Sequence, residues 1–351
     1  MKVAHCFFTM HIGGSQILAI DLINKMCREH EVFLLIVNDQ WNQQLLDKVD
    51  KRVVVRCINR KEGSRNPLPV LRFNLLLKKI KPDVIHCHEN KIINLIKIGK
   101  YKTIYTVHDV GVKNIEVKKY SVLVAISKSV KADVTERFGV KAKVIHNGIS
   151  METFAKRKQY ALSNDKPFKI VQVSRLVHEK KGQDILIKAI DKLVKNSEIQ
   201  ITLDIIGNGP SYNYLQSLIK SYSLERSIKL IGAKDRKWIS QNLLDYHVLV
   251  QPSRFEGFGL TLIEGIAAGV PVIASDIDGP AEIMTSLNSK FTFESENIDA
   301  CANKLMEVIT LYQRNKIESI MEVTYREIAA QFSLASAVDN YLRLYEEVVR
   351  A

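Results

Sequence analysis

Residues 248–276 read VLVQPSRFEGFGLTLIEGIAAGVPVIASD. They open on a short apolar run, VLVQPS, of the kind that is buried in a parallel sheet. A polar, glycine-rich elbow follows, RFEGFG at 254–259. From Leu260 onward, Leu262, Ile263, Ile266 and Ala267 recur at the spacing of a core-facing helix. Gly269 and Pro271 stop that helix, and PVIASD makes a second strand. The stretch is one β-α-β unit. Its elbow sits at the carboxyl end of the first strand, where open parallel sheets bind ligands.

The same alternation runs outward in both directions. Strands are expected at 2–8, 32–37, 53–58, 83–86, 103–107, 122–126 and 143–145, with helices at 68–80 and 127–138 among the segments between them. After a polar stretch at 156–166 with little apolar periodicity, strands recur at 168–173, 201–206, 228–231, 248–250 and 272–273. Residues from about 296 onward read as helical, and 335–349 is amphipathic. Two α/β domains follow, each a doubly wound (Rossmann-like) parallel sheet, the two facing a cleft.

Length and composition agree with that division. The chain has 351 residues, which suits two domains of ordinary size, and its 46% apolar and 25% charged content is globular. No apolar run reaches the roughly 18 to 20 residues of a membrane span. The start, MKVAHCFFTM, reads as a first strand rather than a signal peptide. Five scattered cysteines give neither a disulfide framework nor a zinc spacing, so a reducing, cytoplasmic setting is expected.

Charge is unevenly placed. Residues 1–150 hold 26 Lys and Arg against 13 Asp and Glu, so the whole formal excess of +13 lies there. Such asymmetry points to an anionic partner for one domain. Within 68–80, Leu71, Phe73, Leu75, Leu76 and Leu77 mix with Arg72, Lys78 and Lys79. That composition suits the interface of an anionic membrane. Equally, Leu71, Leu75 and Ile80 suit packing on a sheet with the lysines solvated. Nucleic acid is not expected, because no aromatic platform or known motif accompanies the charge.

Several motifs can carry chemistry. Glu256 lies in the elbow and Glu264 in the helix after it. The peptides of Gly257, Phe258, Gly259, Leu260 and Thr261 form a helix entrance whose N–H groups and positive dipole end favour a phosphate. Gly13-Gly14 opens the first strand-to-helix turn without a G-x-G-x-x-G fingerprint, so a dinucleotide site is not supported. The pair reads either as a plain turn or as an opened helix entrance. Thr106-Val-His108-Asp109 ends a strand. Arg175, Lys180, Lys181 and Gly182 follow the first strand of the second half, and Gly207-Asn-Gly-Pro210 is a turn beyond the next. His86-Cys-His88 looks like a metal tract, yet alternate strand residues leave an incomplete ligand set, so no metal is expected. His5, His11 and His178 read as structural or surface residues, and Asp276-x-Asp278 as a structural loop.

P-S-x-x-E-G-F-G-L-x-x-x-E followed by A-x-G-x-P-V-I-A-S-D resembles the donor-site signature of the family-4 (GT4-type) retaining glycosyltransferases of GT-B fold. The resemblance is dense over 168–285 and weaker over 1–150. It implies an acceptor-side domain at 1–155, a linker at 156–166, a donor-binding domain at 167–332, and a terminal helix near 333–351 packed back on the first domain. It implies sugar transfer from a nucleoside diphosphate sugar, a UDP-sugar ahead of a GDP-sugar, with no metal and no further cofactor. On this resemblance Arg175 and Lys181 hold the leaving diphosphate, with Lys180 as the alternative lysine. Glu264 holds the ribose hydroxyls, Glu256 and His108 face the donor sugar, and Gly13-Gly14 faces the phosphates and the acceptor. It further implies a lipid-linked or glycan acceptor in bacterial cell-surface polysaccharide synthesis, to which the basic amino-terminal half adds an expected peripheral attachment at the inner face of the plasma membrane. Acceptor loops are expected at 10–15, 38–50, 59–67 and 109–118. A nucleotide-sugar epimerase of the same fold and a noncatalytic nucleotide-sugar binding subunit are the alternatives.

Overall fold

The computed structural model describes residues 1–11, 13–113, 116–163, 165–287 and 290–351. Ile12 of the Gly-Gly turn, Asn114 and Ile115 of one expected acceptor loop, and Asn164 of the polar stretch lie outside the described residues. The chain divides into two units, 1–149 together with 334–351, and 150–333.

The first unit is built on a seven-stranded sheet. Its strands are β1 (Lys2–Phe7), β2 (Glu31–Asn38), β3 (Val54–Arg60), β4 (Val84–Cys87), β5 (Lys102–Val107), β6 (Val122–Ala125) and β7 (Lys143–Val144). They lie in the order β3-β2-β1-β4-β5-β6-β7, and every pairing is parallel. All four residues of β4 are buried, as a sheet covered on both faces requires. Helices α1 (Gly14–Met26), α2 (Gln43–Leu46), α3 (Pro67–Ile80) and α4 (Lys128–Phe138) connect the strands. Ser127 caps α4, accepting the Val130 N–H at 3.1 Å, and Gly139 ends it in the left-handed region that favours glycine.

The second unit repeats the plan with six strands. These are β8 (Phe168–Val173), β9 (Ile201–Ile206), β10 (Ile228–Gly232), β11 (Val248–Gln251), β12 (Val272–Ser275) and β13 (Thr292–Phe293), in the order β10-β9-β8-β11-β12-β13 and again all parallel. Its helices are α5 (His178–Lys181), α6 (Gln183–Asn196), α7 (Tyr212–Ser221), α8 (Arg236–Asn242), α9 (Leu260–Ala267), α10 (Asp278–Ser286), α11 (Ile298–Gln313) and α12 (Ile317–Phe332).

The last helix, α13 (Leu334–Arg350), belongs to the first unit. Ala337, Val338, Tyr341, Leu344, Tyr345 and Val348 form one helical stripe and are buried in that unit's core beside Ala19, Ile23 and Met26 of α1. Each large apolar side chain buried this way contributes roughly 1.5–3 kcal/mol.

Strand order reverses at two places, between β1 and β4 and between β8 and β11. At such a switch point the connections leave to opposite sides, and the carboxyl ends of the two strands lie beside an open crevice. In the second unit, the loops meeting there are 174–182 and 252–259.

Candidate functional site

The two loops at the β8/β11 switch point are fastened to each other by backbone and by charge. Gly182 has φ of 63°, and a Cβ added there would overlap the carbonyl oxygen of Pro252. Only glycine permits this approach. The N–H groups of Arg254 and Phe255 both donate to the carbonyl of Lys180, at 2.8 and 3.2 Å. Arg254 then grips Asp184 with two hydrogen bonds, at 2.8 and 3.0 Å, and donates to the His178 carbonyl at 2.7 Å. Burial works to raise the Asp184 carboxyl, but the hydrogen bonds and charge of Arg254 outweigh it and hold it below the usual range. Sequence reasoning passed over both residues; a bidentate Arg–carboxylate partner 70 positions away leaves no local signal.

On this frame Lys181 and Glu256 form an ion pair, each side chain about one-fifth exposed. Gln251, at the end of β11, donates a second hydrogen bond to the same Glu256 oxygen at 2.9 Å. The Gln251 carbonyl oxygen in turn accepts from the Thr261 hydroxyl at 3.2 Å. Of the two lysines that sequence left open, it is therefore Lys181 whose ammonium meets Glu256. Arg175 is exposed, and among the described residues its guanidinium makes no hydrogen bond or ion pair. The turn 207–210 lies beside it, because Leu176 donates to the Asn208 carbonyl at 3.0 Å.

Gly259 turns the chain into α9 with φ of 107°, and no side chain caps the helix entrance. Phe258 is buried, its ring 5.8 Å from that of Phe332, so it anchors the elbow and presents backbone only. Gly257 is buried as well, and Leu260 and Thr261 begin the first turn of α9. Glu264 lies one turn beyond Thr261 and is half-buried. Behind the elbow, the Gly279 N–H donates to the Glu256 carbonyl at 3.3 Å. Asp276 serves the fold, since its carboxylate accepts the Ser295 N–H at 2.9 Å.

The first unit carries a different constellation at its own switch point. Gly13 precedes α1 in extended backbone, with Gly14 as its first residue. Glu89, following β4, accepts the Phe8 N–H after β1, and burial pushes its carboxyl up. His108, just past β5, is half-buried, its ring 5.8 Å from His88 and inclined by only 20°. His88 stacks on Phe7 at 4.3 Å and meets His5 through a 3.0 Å hydrogen bond. His86 spends both ring nitrogens, one on the Tyr345 hydroxyl at 2.6 Å and one on the Thr106 hydroxyl at 2.7 Å. Thr106 is also 3.0 Å from the Tyr341 hydroxyl.

Burial keeps these imidazoles neutral. The His5 ring is pushed down to about 3 and that of His108 to about 4, while burial and then the neighbouring rings lower His86 and His88 strongly. His5 completes a trio with His86 and His88 whose ring nitrogens all lie within 4.8 Å of one another. The convergence is closer than the sequence reading allowed, because that reading left out the neighbouring strand. His86 is engaged at both ring nitrogens, whereas Nε2 of His5 and Nδ1 of His88 are buried without a hydrogen-bond partner among the described residues.

Comparison with known proteins covers both units. A model described as "Glycosyltransferase Family 4" matches residues 12–153, and one described as "Glycosyl transferases group 1" matches 153–321. An uncharacterized glycosyltransferase of Methanocaldococcus jannaschii is 27% identical over 64% of this chain. The chain spans 59% of that relative's length, and less of some others. The O-antigen biosynthesis glycosyltransferase WclY of Escherichia coli is 24% identical over 100% of this chain and 99% of its own. Among solved structures, Anabaena HepE in complex with UDP and glucose superposes with a TM-score of 0.79 over 99% of each chain. At 19% identity that likeness is one of fold.

Proposed function

The chain belongs to the family-4 type of glycosyltransferases with GT-B fold, and on that premise we propose that it moves a sugar from a nucleoside diphosphate sugar to an acceptor hydroxyl with retention of anomeric configuration. The observation that carries this reading is the Lys181–Glu256 pair, with Arg175 exposed on the same loop as Lys181, at the switch point of the second unit. As the bond from the anomeric carbon to the diphosphate breaks, the electron pair leaves on phosphate oxygen, and the charge there must be met by fixed donors. Arg175 offers a planar fork and Lys181 a point charge. The entrance of α9 adds backbone N–H groups. Because Glu256 already neutralises Lys181, Arg175 is the cation with charge to spare.

Glu264 is read as the acceptor for the ribose hydroxyls. Glu256 faces the sugar and balances the positive charge that develops at its anomeric carbon. No covalent step is assigned to it. In the first unit, His108 is read as a contact to the same sugar. As a neutral imidazole it can turn a lone pair toward an oxocarbenium-like centre, which an imidazolium would repel. Gly13-Gly14 leaves the α1 entrance bare for phosphate or acceptor.

UDP is favoured as the nucleotide, a choice supported by HepE having been solved with UDP. An acceptor in cell-surface polysaccharide synthesis, lipid-linked or glycan, is supported by the O-antigen role in WclY's name. The deciding experiment incubates the chain with UDP-hexoses, with and without a lipid-linked acceptor extract, and follows nucleotide release and product anomers by NMR. Acceptor-dependent release with retained configuration supports the reading. Conversion of the donor sugar without acceptor would make the chain an epimerase, and binding without turnover a noncatalytic subunit.

A further inference from the structure

We propose that the outward face of α3 docks on an anionic phospholipid surface. This extends the proposed function by naming where a lipid-linked acceptor is met, and its test below uses neither donor nor acceptor.

The helix has two different faces. Phe73, Asn74, Leu77 and Ile80 are buried. Leu68, Leu71 and Leu75 are 55, 47 and 53% exposed. Their spacing of three and four residues puts them on one stripe, about 10 Å long at the helical rise. Among the described residues, no other element exposes three large apolar side chains. Of Leu71, Leu75 and Ile80, for which sheet packing is the alternative, only Ile80 is buried, and Phe73 and Leu77, read with the lipid face, are buried as well.

Charge identifies the occupant. Residues 65–82 contain five basic residues, Arg65, Arg72, Lys78, Lys79 and Lys81, and no acidic one. Arg72, Lys78 and Lys79 are exposed and border the leucine stripe at 3.6 residues per turn. Asn74, on the buried face, holds the next loop against the helix by accepting the N–H groups of Lys97 and Ile98 at 2.7 and 3.0 Å. Ile98 is 42% exposed, and Lys97 and Lys100 flank it. An apolar ridge on a helix that carries cations and no acidic residue matches a bilayer interface, with acyl chains beneath and phosphates beside. A second copy of this chain docking by the same face would bury these cations against one another, because residues 65–82 hold no acidic group. No helix among the described residues is long and apolar enough to cross a membrane, so the contact is a surface one.

The helix is held to that orientation. Asn66 caps it by accepting the Leu68 N–H at 3.0 Å, with Pro67 in its first turn. The Asn74 amide donates to the Leu95 carbonyl at 2.8 Å, tying its middle to the neighbouring loop. The leucines therefore present a rigid ridge.

The test is co-sedimentation of the whole chain with vesicles of phosphatidylcholine alone and of phosphatidylcholine with phosphatidylglycerol. Binding is expected only to the second, and it should weaken as salt shortens the Debye length from about 10 Å at 0.1 M to about 3 Å at 1 M. Replacing Leu68, Leu71 and Leu75 together by Ser should abolish it. Replacing Arg72, Lys78 and Lys79 together by Gln should weaken it about fivefold per charge. Both triple variants alter exposed residues, and unchanged melting temperatures verify their fold. Equal binding to both vesicles, no binding to either at low salt, or binding indifferent to the leucines would each overturn the proposal. So would a wild-type dimer in light scattering that the leucine variant converts to monomer, which would assign the face to a second copy of the chain.

Discussion

The hydroxyl of Tyr345 lies 2.6 Å from Nδ1 of His86, although the two residues are 259 positions apart. Both are fully buried, so the last helix reaches the centre of the first sheet through a polar contact as well as an apolar one. Tyr341, one turn earlier, repeats the contact through Thr106, two residues before His108 on the same chain segment.

Tyr345→Phe should therefore cost more than the loss of a surface hydroxyl. It leaves a ring nitrogen of His86 buried without a partner, a penalty of about 1–3 kcal/mol. Urea unfolding followed by a probe in the first unit should show the loss, and Tyr345→Phe with His86→Leu should recover part of it. An unchanged midpoint for Tyr345→Phe would mean that the hydrogen bond adds nothing.

The histidines also set a pH dependence. His5 and His108 have folded values of about 3 and about 4 against 6.5 in the open chain. Below 6.5 the unfolded chain binds more protons than the folded one, so stability is complete above about pH 6.5 and falls as pH drops toward 4. A fully buried ring such as His5 contributes a slope of up to about 1.4 kcal/mol per pH unit in that window. Denaturant midpoints of the first unit should fall between pH 7 and pH 5. His5→Asn should make that fall shallower, and equal slopes would contradict the assignment.

Kinetics should separate the residues of the second unit. Glu264→Ala removes a contact made in ground and transition states alike, and should raise donor KM about tenfold or more with kcat nearly kept. Arg175→Ala removes charge that matters most as the diphosphate departs, and should lower kcat by about a hundredfold. An Arg175→Ala enzyme with normal turnover would remove Arg175 from the leaving group.

Transfer is expected to survive EDTA. Asp276, half of the Asp-x-Asp sequence, already spends a carboxylate oxygen on the Ser295 N–H. Asp278 begins α10 at φ of 37°, a conformation asparagine also accepts, so Asp278→Asn should be close to neutral. Activity abolished by chelator and restored by Mn²⁺ would contradict this.

What the sequence displayed was local. The β-α-β reading of 248–276 holds because a continuous apolar strand, a glycine elbow and a 3.6-residue apolar period lie side by side in the chain. β11, α9 and β12 fall inside that stretch. The doubly wound order could likewise be expected from alternation alone. Partnerships across long separations were hidden. Arg254 reads as one more charged loop residue until α6 brings Asp184 to it. His5 reads as an isolated strand histidine until β1 pairs in register with β4, placing it opposite His86. That Lys181 pairs with Glu256, 75 positions away, likewise could not be read from the doubled lysine.

On the proposed function, the switch point between β8 and β11 holds a nucleoside diphosphate through Arg175, Lys181 and Glu264. The most direct measurement is the thermal shift of the second unit's transition, in the whole chain, on adding UDP, GDP or ADP, repeated for Arg175→Ala and Glu264→Ala. At a hundred times its dissociation constant, the matching nucleotide should stabilise the wild type by about 2.7 kcal/mol, with UDP expected to be the one. Both variants should lose most of that shift at the same concentration. No shift with any of the three nucleotides, or a full shift in both variants, would contradict the claim.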